Sequence, residues 1–199
     1  MNAPRPYVIG LTGSIGMGKT ETAKLFAAEG VPVFDADAAI HDLYAGEAAA
    51  LIEREFPGAT KKGVVDRAAL SAKVTNDPAA LARLEAIMHP LVQAAQDRFL
   101  AGNAGAPVVL LDIPLLLETG VKVDAVVVAS APAHIQRQRV LSRPGMSEEK
   151  FAALLARQMS DAEKRAQAHY VVTTDRGLDH AREQVKMILA DIRQKTCAR

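Results

Sequence analysis

Gly10–Thr20, GLTGSIGMGKT, follows directly on the apolar run Tyr7-Val8-Ile9 and precedes a stretch that reads as a helix. Within it Gly13, Ser14, Ile15, Gly16, Met17, Gly18, Lys19 and Thr20 match G-x-x-x-x-G-K-[ST] at every fixed position. Glycines in such a loop let successive backbone N–H groups turn inward as a nest for an anion, and the following helix adds the positive end of its dipole. Lys19 supplies a mobile point charge for β- and γ-phosphates, and the Thr20 hydroxyl is of the kind that ligates Mg²⁺. The motif reads as a binding site for a nucleoside triphosphate such as ATP. It does not say what receives the phosphate.

Outward from this loop, further apolar runs rich in β-branched residues mark Tyr7–Leu11, Val31–Phe34, Val108–Ile113, Val123–Ala129 and Tyr170–Thr173 as strands. They are continuous rather than alternating, as in a parallel sheet covered on both faces, and helical text separates them, so the fold class is α/β. Gly30 with Pro32 beyond it ends the first helix. Between Ile40 and Gly105 strand signals vanish and alanine-rich helical text takes over. There Asn76-Asp77-Pro78 offers an N-cap with proline at the first helical position, and Leu81, Leu84, Ile87 and Met88 form an apolar stripe. His89-Pro90 is expected to end or kink that helix. A second helical insertion runs from Pro132 to Arg165, with Arg139 and Arg143 on one helix face, Ser147-Glu148-Glu149 opening another helix and Ser160-Asp161-Ala162-Glu163 at capping-box spacing. Leu178, Ala181, Val185, Ile188, Leu189 and Ile192 give a closing helix.

Composition narrows the class. At 199 residues with 49% hydrophobic content, the chain has room for one well-packed core with insertions. Lys and Arg number 24 against 23 Asp and Glu, a net charge of +1, so no global field points to nucleic acid or an anionic membrane. The single cysteine, Cys197, excludes an intramolecular disulfide and fits a reducing compartment. No apolar stretch approaches the roughly 20 residues that cross a bilayer, and MNAPRP carries no signal-peptide core. The expectation is a soluble cytoplasmic protein, monomeric or weakly self-associating.

A GTPase would show N-K-x-D and D-x-x-G; the corresponding places read Val128-Ala129-Ser130-Ala131 and Asp112-Ile113-Pro114-Leu115. A small-molecule kinase needs a base, an acceptor pocket and cations over the transferring group. For the base, Asp35 and Asp37 in VFDAD end the second strand and, two apart on an extended chain, point the same way. Asp112 ends the third long strand, where it can orient a metal or serve the structure. His41 and His89 lie in the 40–105 insertion, His89 equally readable as a core residue. Arg139 and Arg143, followed by Arg157 and Arg165, suit a lid or simply a solvated face. Another small-molecule P-loop kinase, acting on a nucleoside or nucleotide, and a nucleotide-dependent switch both stay open on these residues alone.

Together, IGLTGSIGMGKT, GVPVFDADAAIH, MHPLV, VVLLDIPLLLETG, QRQRVLSR and ARQMSDAEKRAQAHYVV, in this order over nearly the whole chain, resemble the dephospho-CoA kinase family. The resemblance implies a three-layer α/β/α P-loop kinase with a five-stranded parallel sheet. Its core spans about 1–39, 106–131 and 166–199, its helical acceptor-binding insertion about 40–105, and its lid about 132–165. It implies ATP and dephospho-CoA as substrates, Mg²⁺ as the metal, and transfer to the ribose 3′-hydroxyl. Carried over to these positions, it makes Asp37 the base, Gly13 to Glu21 the nucleotide contacts, and Thr20 the metal ligand, beside which Asp112 is the candidate that the strand end itself offers. His41, His89, Leu115 and Glu118 fall on the acceptor side, Arg139 and Arg143 on the lid approaching the phosphates, and Gln158 near the closed site. Two departures stand out. Ser14 and Met17 replace the family's usual glycine and small serine, the bulk of Met17 being expected on the loop's outer face. His169 and Thr174 replace an aspartate and an asparagine, so no adenine contact is carried over to them.

Overall fold

The structure is a computed structural model and describes residues 5–197; the first four residues of the MNAPRP stretch, and the thiol of Cys197, lie outside the described residues. In chain order the elements are β1 (Tyr7–Thr12), α1 (Lys19–Ala28) and β2 (Val33–Asp35), then α2 (Ala36–Ala45), α3 (Glu47–Glu55), β3 (Thr60–Lys61), β4 (Val64–Val65), α4 (Arg67–Val74) and α5 (Pro78–Gly102). There follow β5 (Val108–Asp112), α6 (Leu116–Thr119), β6 (Ala125–Ser130), α7 (Ala133–Leu141), α8 (Glu148–Leu155), α9 (Asp161–Ala166), β7 (Tyr170–Thr173) and α10 (Leu178–Cys197). Two compact units divide them: Asp35–Gly102 is one, and the residues on either side form the other.

The flanking unit is built on a five-stranded sheet ordered β2-β5-β1-β6-β7, with β1 parallel to β5 and β6, and β6 parallel to β7. The continuous apolar runs fold this way because each face of the sheet has its own cover. Ile9, Leu11, Leu110, Val127 and Val172 pack with Phe26 of α1 and Val185, Leu189 and Ile192 of α10. Val126 and Val128, one residue out of phase with Val127, point to the opposite face and pack with Leu116 of α6. Each such side chain contributes about 1.5–3 kcal/mol by leaving water. The register aligns Leu11 with Asp112 and Thr12 with Val128, so β1 and β5 end within a residue of each other where the loop Gly13–Gly18 departs, and β6 runs two residues further. The end of α1 follows the sequence reading: Gly30 N–H bonds the Ala27 carbonyl and Val31 N–H that of Phe26, a Schellman closure. Leu178, expected in the apolar stripe of α10, is 54% exposed, because the first helical residue precedes the contact with the sheet.

The Asp35–Gly102 unit has its own core of Leu43, Ile52, Phe56, Leu70, Leu84 and Met88, drawn from α2 to α5. Three expectations are corrected here. The region is not purely helical: β3 and β4 pair antiparallel, Thr60 opposite Val65, through a two-residue turn in which Lys62 and Gly63 both have positive φ. Strands of two residues leave no periodicity to read. Of the two outcomes expected at His89-Pro90, an end or a kink, the end does not occur: the helix runs through Pro90 to Gly102. Asp77 caps its start, accepting from the Ala79 and Ala80 amides, and packing on both sides of the proline offsets the one backbone bond lost. The buried stripe is Ala80, Leu84 and Met88 at four-residue spacing, which leaves Leu81 43% exposed.

Candidate active site

The loop after β1 is held in shape by side chains from three directions, all in the flanking unit. Gly16 and Gly18 sit at φ 79° and 86°, a region other residues enter only with strain. A Cβ on Gly16 would lie 2.5 Å from Val140, and one on Gly18 would lie 2.9 Å from Thr174 Oγ1. The loop is therefore glycine-bound by backbone and by packing. From α7, Gln136 Nε2 donates to the Ile15 carbonyl (2.8 Å), and Arg139 Nη1 to that of Gly16 (3.4 Å). The same guanidinium grips Thr174 through its hydroxyl (2.9 Å) and carbonyl (2.6 Å), while Thr174 Oγ1 donates to the Met17 carbonyl (2.8 Å). From the turn after α8, Gln158 Oε1 accepts the Ile15 amide (3.1 Å), and Ser14 Oγ donates to the Met159 carbonyl (3.3 Å).

Ser14 and Met17 thus acquire physical roles. Met17 is 2% exposed and its sulfur accepts the Ala131 amide, so its bulk is buried beneath the loop, against the chain leaving β6, and not on the loop's outer face. His169 pairs with Val126 through both its backbone and its ring Nδ1, which opens β7 against β6.

Lys19, the first residue of α1, reaches back to Asp112 at the end of β5, Nζ to Oδ1 2.7 Å, with the carboxylate almost wholly buried. Thr20 is exposed beside it, and exposed Glu21 pairs with Lys24. Mg²⁺ characteristically takes one or two protein oxygens and completes its shell with waters and substrate phosphates. The Thr20 hydroxyl and the Asp112 carboxylate fit that demand, whereas no cluster of three or more His, Cys, Asp or Glu suited to a metal occurs among the described residues.

The two arginines expected side by side are separated. Helix α7 stops at Leu141, so its inward face is Gln136, Arg139 and Val140, and Arg143 stands exposed in the turn beyond. Pro144-Gly145 ends the helix earlier than its spacing suggested, because Ser142 and Arg143 already form the closing turn on Gln138 and Val140. Arg157 and Arg165 are exposed as well.

Leu115 precedes α6 and is 41% exposed. Glu118 in α6 accepts from Lys164 Nζ (2.8 Å) and from the Met159 amide (3.1 Å). Partial burial pushes its carboxyl upward, but the Lys164 ammonium and the backbone donors outweigh this and hold it below the usual glutamate value. Lys164 itself is wholly buried. Sequence reasoning passed over Lys164, Gln136 and Thr12; only the four-residue step from the Ser160 cap marks Lys164 as inward-facing, and lysine is rarely found there.

In the Asp35–Gly102 unit, Asp35 and Asp37 do not point the same way. Asp35 is the N-cap of α2, its Oδ1 accepting the Ala38 amide (3.0 Å), and Asp37 lies inside the first helical turn. The extended geometry assumed from VFDAD ends one residue earlier than that comparison needs. Asp37 instead lines a pocket of about 540 Å³ with Ile40, Tyr44, Arg67, Leu70, Ser71, Val74 and Leu84. The Arg67 guanidinium lies 5.6 Å from the Tyr44 ring centroid and donates to His41 Nδ1 (3.2 Å). Burial raises the Tyr44 phenol above its usual value, against the opposing effect of Arg67. His41 therefore adjoins this pocket through Arg67. His89 is exposed on α5, which removes the core-histidine reading, and it is not among the lining residues.

Comparison with known proteins places the chain in a family. The family model described as dephospho-CoA kinase matches residues 7–180. A dephospho-CoA kinase of Mesorhizobium japonicum is 58% identical over 190 residues, covering 94% of this chain and 96% of the relative. One from Brucella melitensis is 51% identical over 195 residues, 96% and 98% of the two chains. Among solved structures, a Thermus thermophilus protein superposes with a TM-score of 0.83 at 35% identity, over 94% of this chain and 98% of the other. A shikimate kinase from Acinetobacter baumannii, at TM-score 0.51, 22% identity and 96% and 94% coverage, shares the fold alone. The chain belongs to the dephospho-CoA kinase family, and with it to the ATP-using P-loop enzymes of the last step of coenzyme A biosynthesis.

Proposed function

We propose that the chain transfers the γ-phosphoryl group of ATP to the ribose 3′-hydroxyl of dephospho-CoA with Asp37 as the base. The observation that carries this reading is the division of labour at the end of β2: Asp35 is spent as a helix cap, while the Asp37 carboxylate opens onto the pocket that also presents Arg67. The 40–105 insertion is then the acceptor-binding part, with His41, Arg67 and His89 as its polar groups, and 132–165 the lid.

On the nucleotide side, the amides from Gly13 to Glu21 and the Lys19 ammonium hold the triphosphate, Lys19 leaving Asp112 for phosphate oxygens. Thr20 and Asp112 would hold Mg²⁺, which would supply charge neutralisation to the phosphates. Arg139 sets the loop through the Gly16 carbonyl and Thr174, and Arg143, exposed in the turn after α7, approaches the transferring group. Gln158 completes the loop's wall, and Leu115 and Glu118 serve the acceptor side at α6. Phosphoryl transfer asks little covalent work of the protein, so positioning and neutralisation by these groups account for catalysis. We assign the protein to the cytoplasm, as a monomer or weak homo-oligomer; no helix among the described residues is long and apolar enough to cross a membrane.

The test is ADP release measured in a coupled assay with dephospho-CoA, set beside nucleosides and nucleoside monophosphates. Release that depends on dephospho-CoA, with coenzyme A as the product, is expected. Equal release with a nucleoside acceptor would contradict the reading.

A further inference from the structure

Lys164 is the buried cation that the reaction scheme leaves unused. Its side chain is wholly buried, a placement that costs heavily unless every donor is matched. All three are: Glu118 Oε1 at 2.8 Å, the Pro114 carbonyl at 3.3 Å and Thr12 Oγ1 at 3.4 Å. Thr12, the last residue of β1, donates its own hydroxyl proton to the same Pro114 carbonyl (2.8 Å). The ammonium thereby ties the strand end from which the phosphate loop departs to the turn leading into α6. Glu118 Oε1 extends the chain of contacts by accepting the Met159 amide. Met159 and its neighbour Gln158 are the residues that bond Ser14 and the Ile15 amide in the loop.

We infer that Lys164 and Glu118 form a buried latch that sets the shape of the phosphate loop from behind, through Thr12 on one side and Gln158-Met159 on the other. Glu118 is on this account a positioning residue for ATP and serves the acceptor side only through the α6 turn it fixes. The inference rests on the ATP-binding role proposed for the loop. Breaking the latch loosens the loop's wall without removing any group that touches phosphate.

The experiment measures ATP affinity by calorimetry without acceptor, and kcat and KM for both substrates, for wild type, Lys164→Met, Glu118→Gln, their double variant and Gln158→Ala. Lys164→Met is expected to weaken ATP binding about 10-fold, and Glu118→Gln and Gln158→Ala about 3–10-fold, with the KM for dephospho-CoA within about 3-fold of wild type. The double variant is expected to be no worse than Lys164→Met alone, since both changes break one unit. If Lys164→Met fails to fold, Glu118→Gln and Gln158→Ala decide by the same readouts. Folded variants that keep wild-type ATP affinity would reduce the pair to a structural role and overturn the latch. So would a Glu118→Gln change confined to the dephospho-CoA KM, which would mean direct acceptor contact. A wild type that binds no ATP would sink the loop's role itself, a failure distinct from both.

Discussion

The phosphate loop and the pocket beside Asp37 are built on opposite plans. Around Gly13–Thr20, Gln136, Arg139, Gln158 and Thr174 each bond a loop amide or carbonyl, and Lys164 braces the strand end behind. The pocket of the other unit is mainly apolar, with Ile40, Leu70, Val74 and Leu84 in its walls and Arg67 as its one guanidinium. A triphosphate presents a fixed array of charge to fixed donors, which rewards a site held in place before binding. An apolar wall fixes little beyond volume, so it tolerates a long, jointed acceptor. The nucleotide side thus owes its performance to bonds, and the acceptor side to packing.

The largest effect that separates them is on stability. Leu84 is 9% exposed in the pocket's own core, and Leu84→Ala should cost roughly 2–5 kcal/mol, a fall in Tm on the order of 10 °C. Titration of the folded variant should show ATP affinity within about 2-fold of wild type and a raised KM for dephospho-CoA; a weakened ATP site would erase the contrast. Gly18→Ala should do the reverse. The left-handed backbone penalises alanine by about 1–2 kcal/mol and the new Cβ meets Thr174 Oγ1 at 2.9 Å. ATP affinity should fall by about 10-fold or more, while the KM for the acceptor barely moves.

The smallest effect sharpens the loop side alone. Arg139→Ala removes the tie between the Gly16 carbonyl and Thr174 and should raise the ATP dissociation constant several-fold. Arg143→Ala leaves that tie intact and should lower kcat more than it weakens ATP binding. Steady-state kinetics beside binding data would show the split, and an Arg143→Ala defect confined to ATP KM would contradict the role given to it.

How much of this is legible in sequence depends on whether neighbours along the chain or across space decide it. Five strands announce themselves because a strand buried on both faces needs a continuous β-branched run. Gly30 and Ser160 are readable because a helix end is a local problem with few chemical solutions. The Asp35-Asp37 pair is not, since it turns on whether the strand ends before or after one residue. Pro90 stays within α5 because tertiary packing outweighs a local penalty, and Arg143 leaves the face of Arg139 because α7 stops two residues short of it. Met17 and Lys164 are hidden for a third reason. Their surroundings come from Ala131, Pro114 and Glu118, far away in sequence; lysine does not advertise burial, and methionine does not say against what it packs.

The claim on which the rest turns is that Asp37, and not Asp35, is the base. Single-turnover transfer from γ-labelled ATP to dephospho-CoA by Asp37→Asn and Asp35→Asn, with ATP affinity measured alongside, tests it most directly. The account predicts a loss of at least about 10²-fold in the transfer rate for Asp37→Asn with ATP affinity largely intact. For Asp35→Asn, whose amide oxygen can still cap α2, it predicts a rate near wild type. Near-normal transfer by Asp37→Asn, or the larger loss in Asp35→Asn, would contradict it.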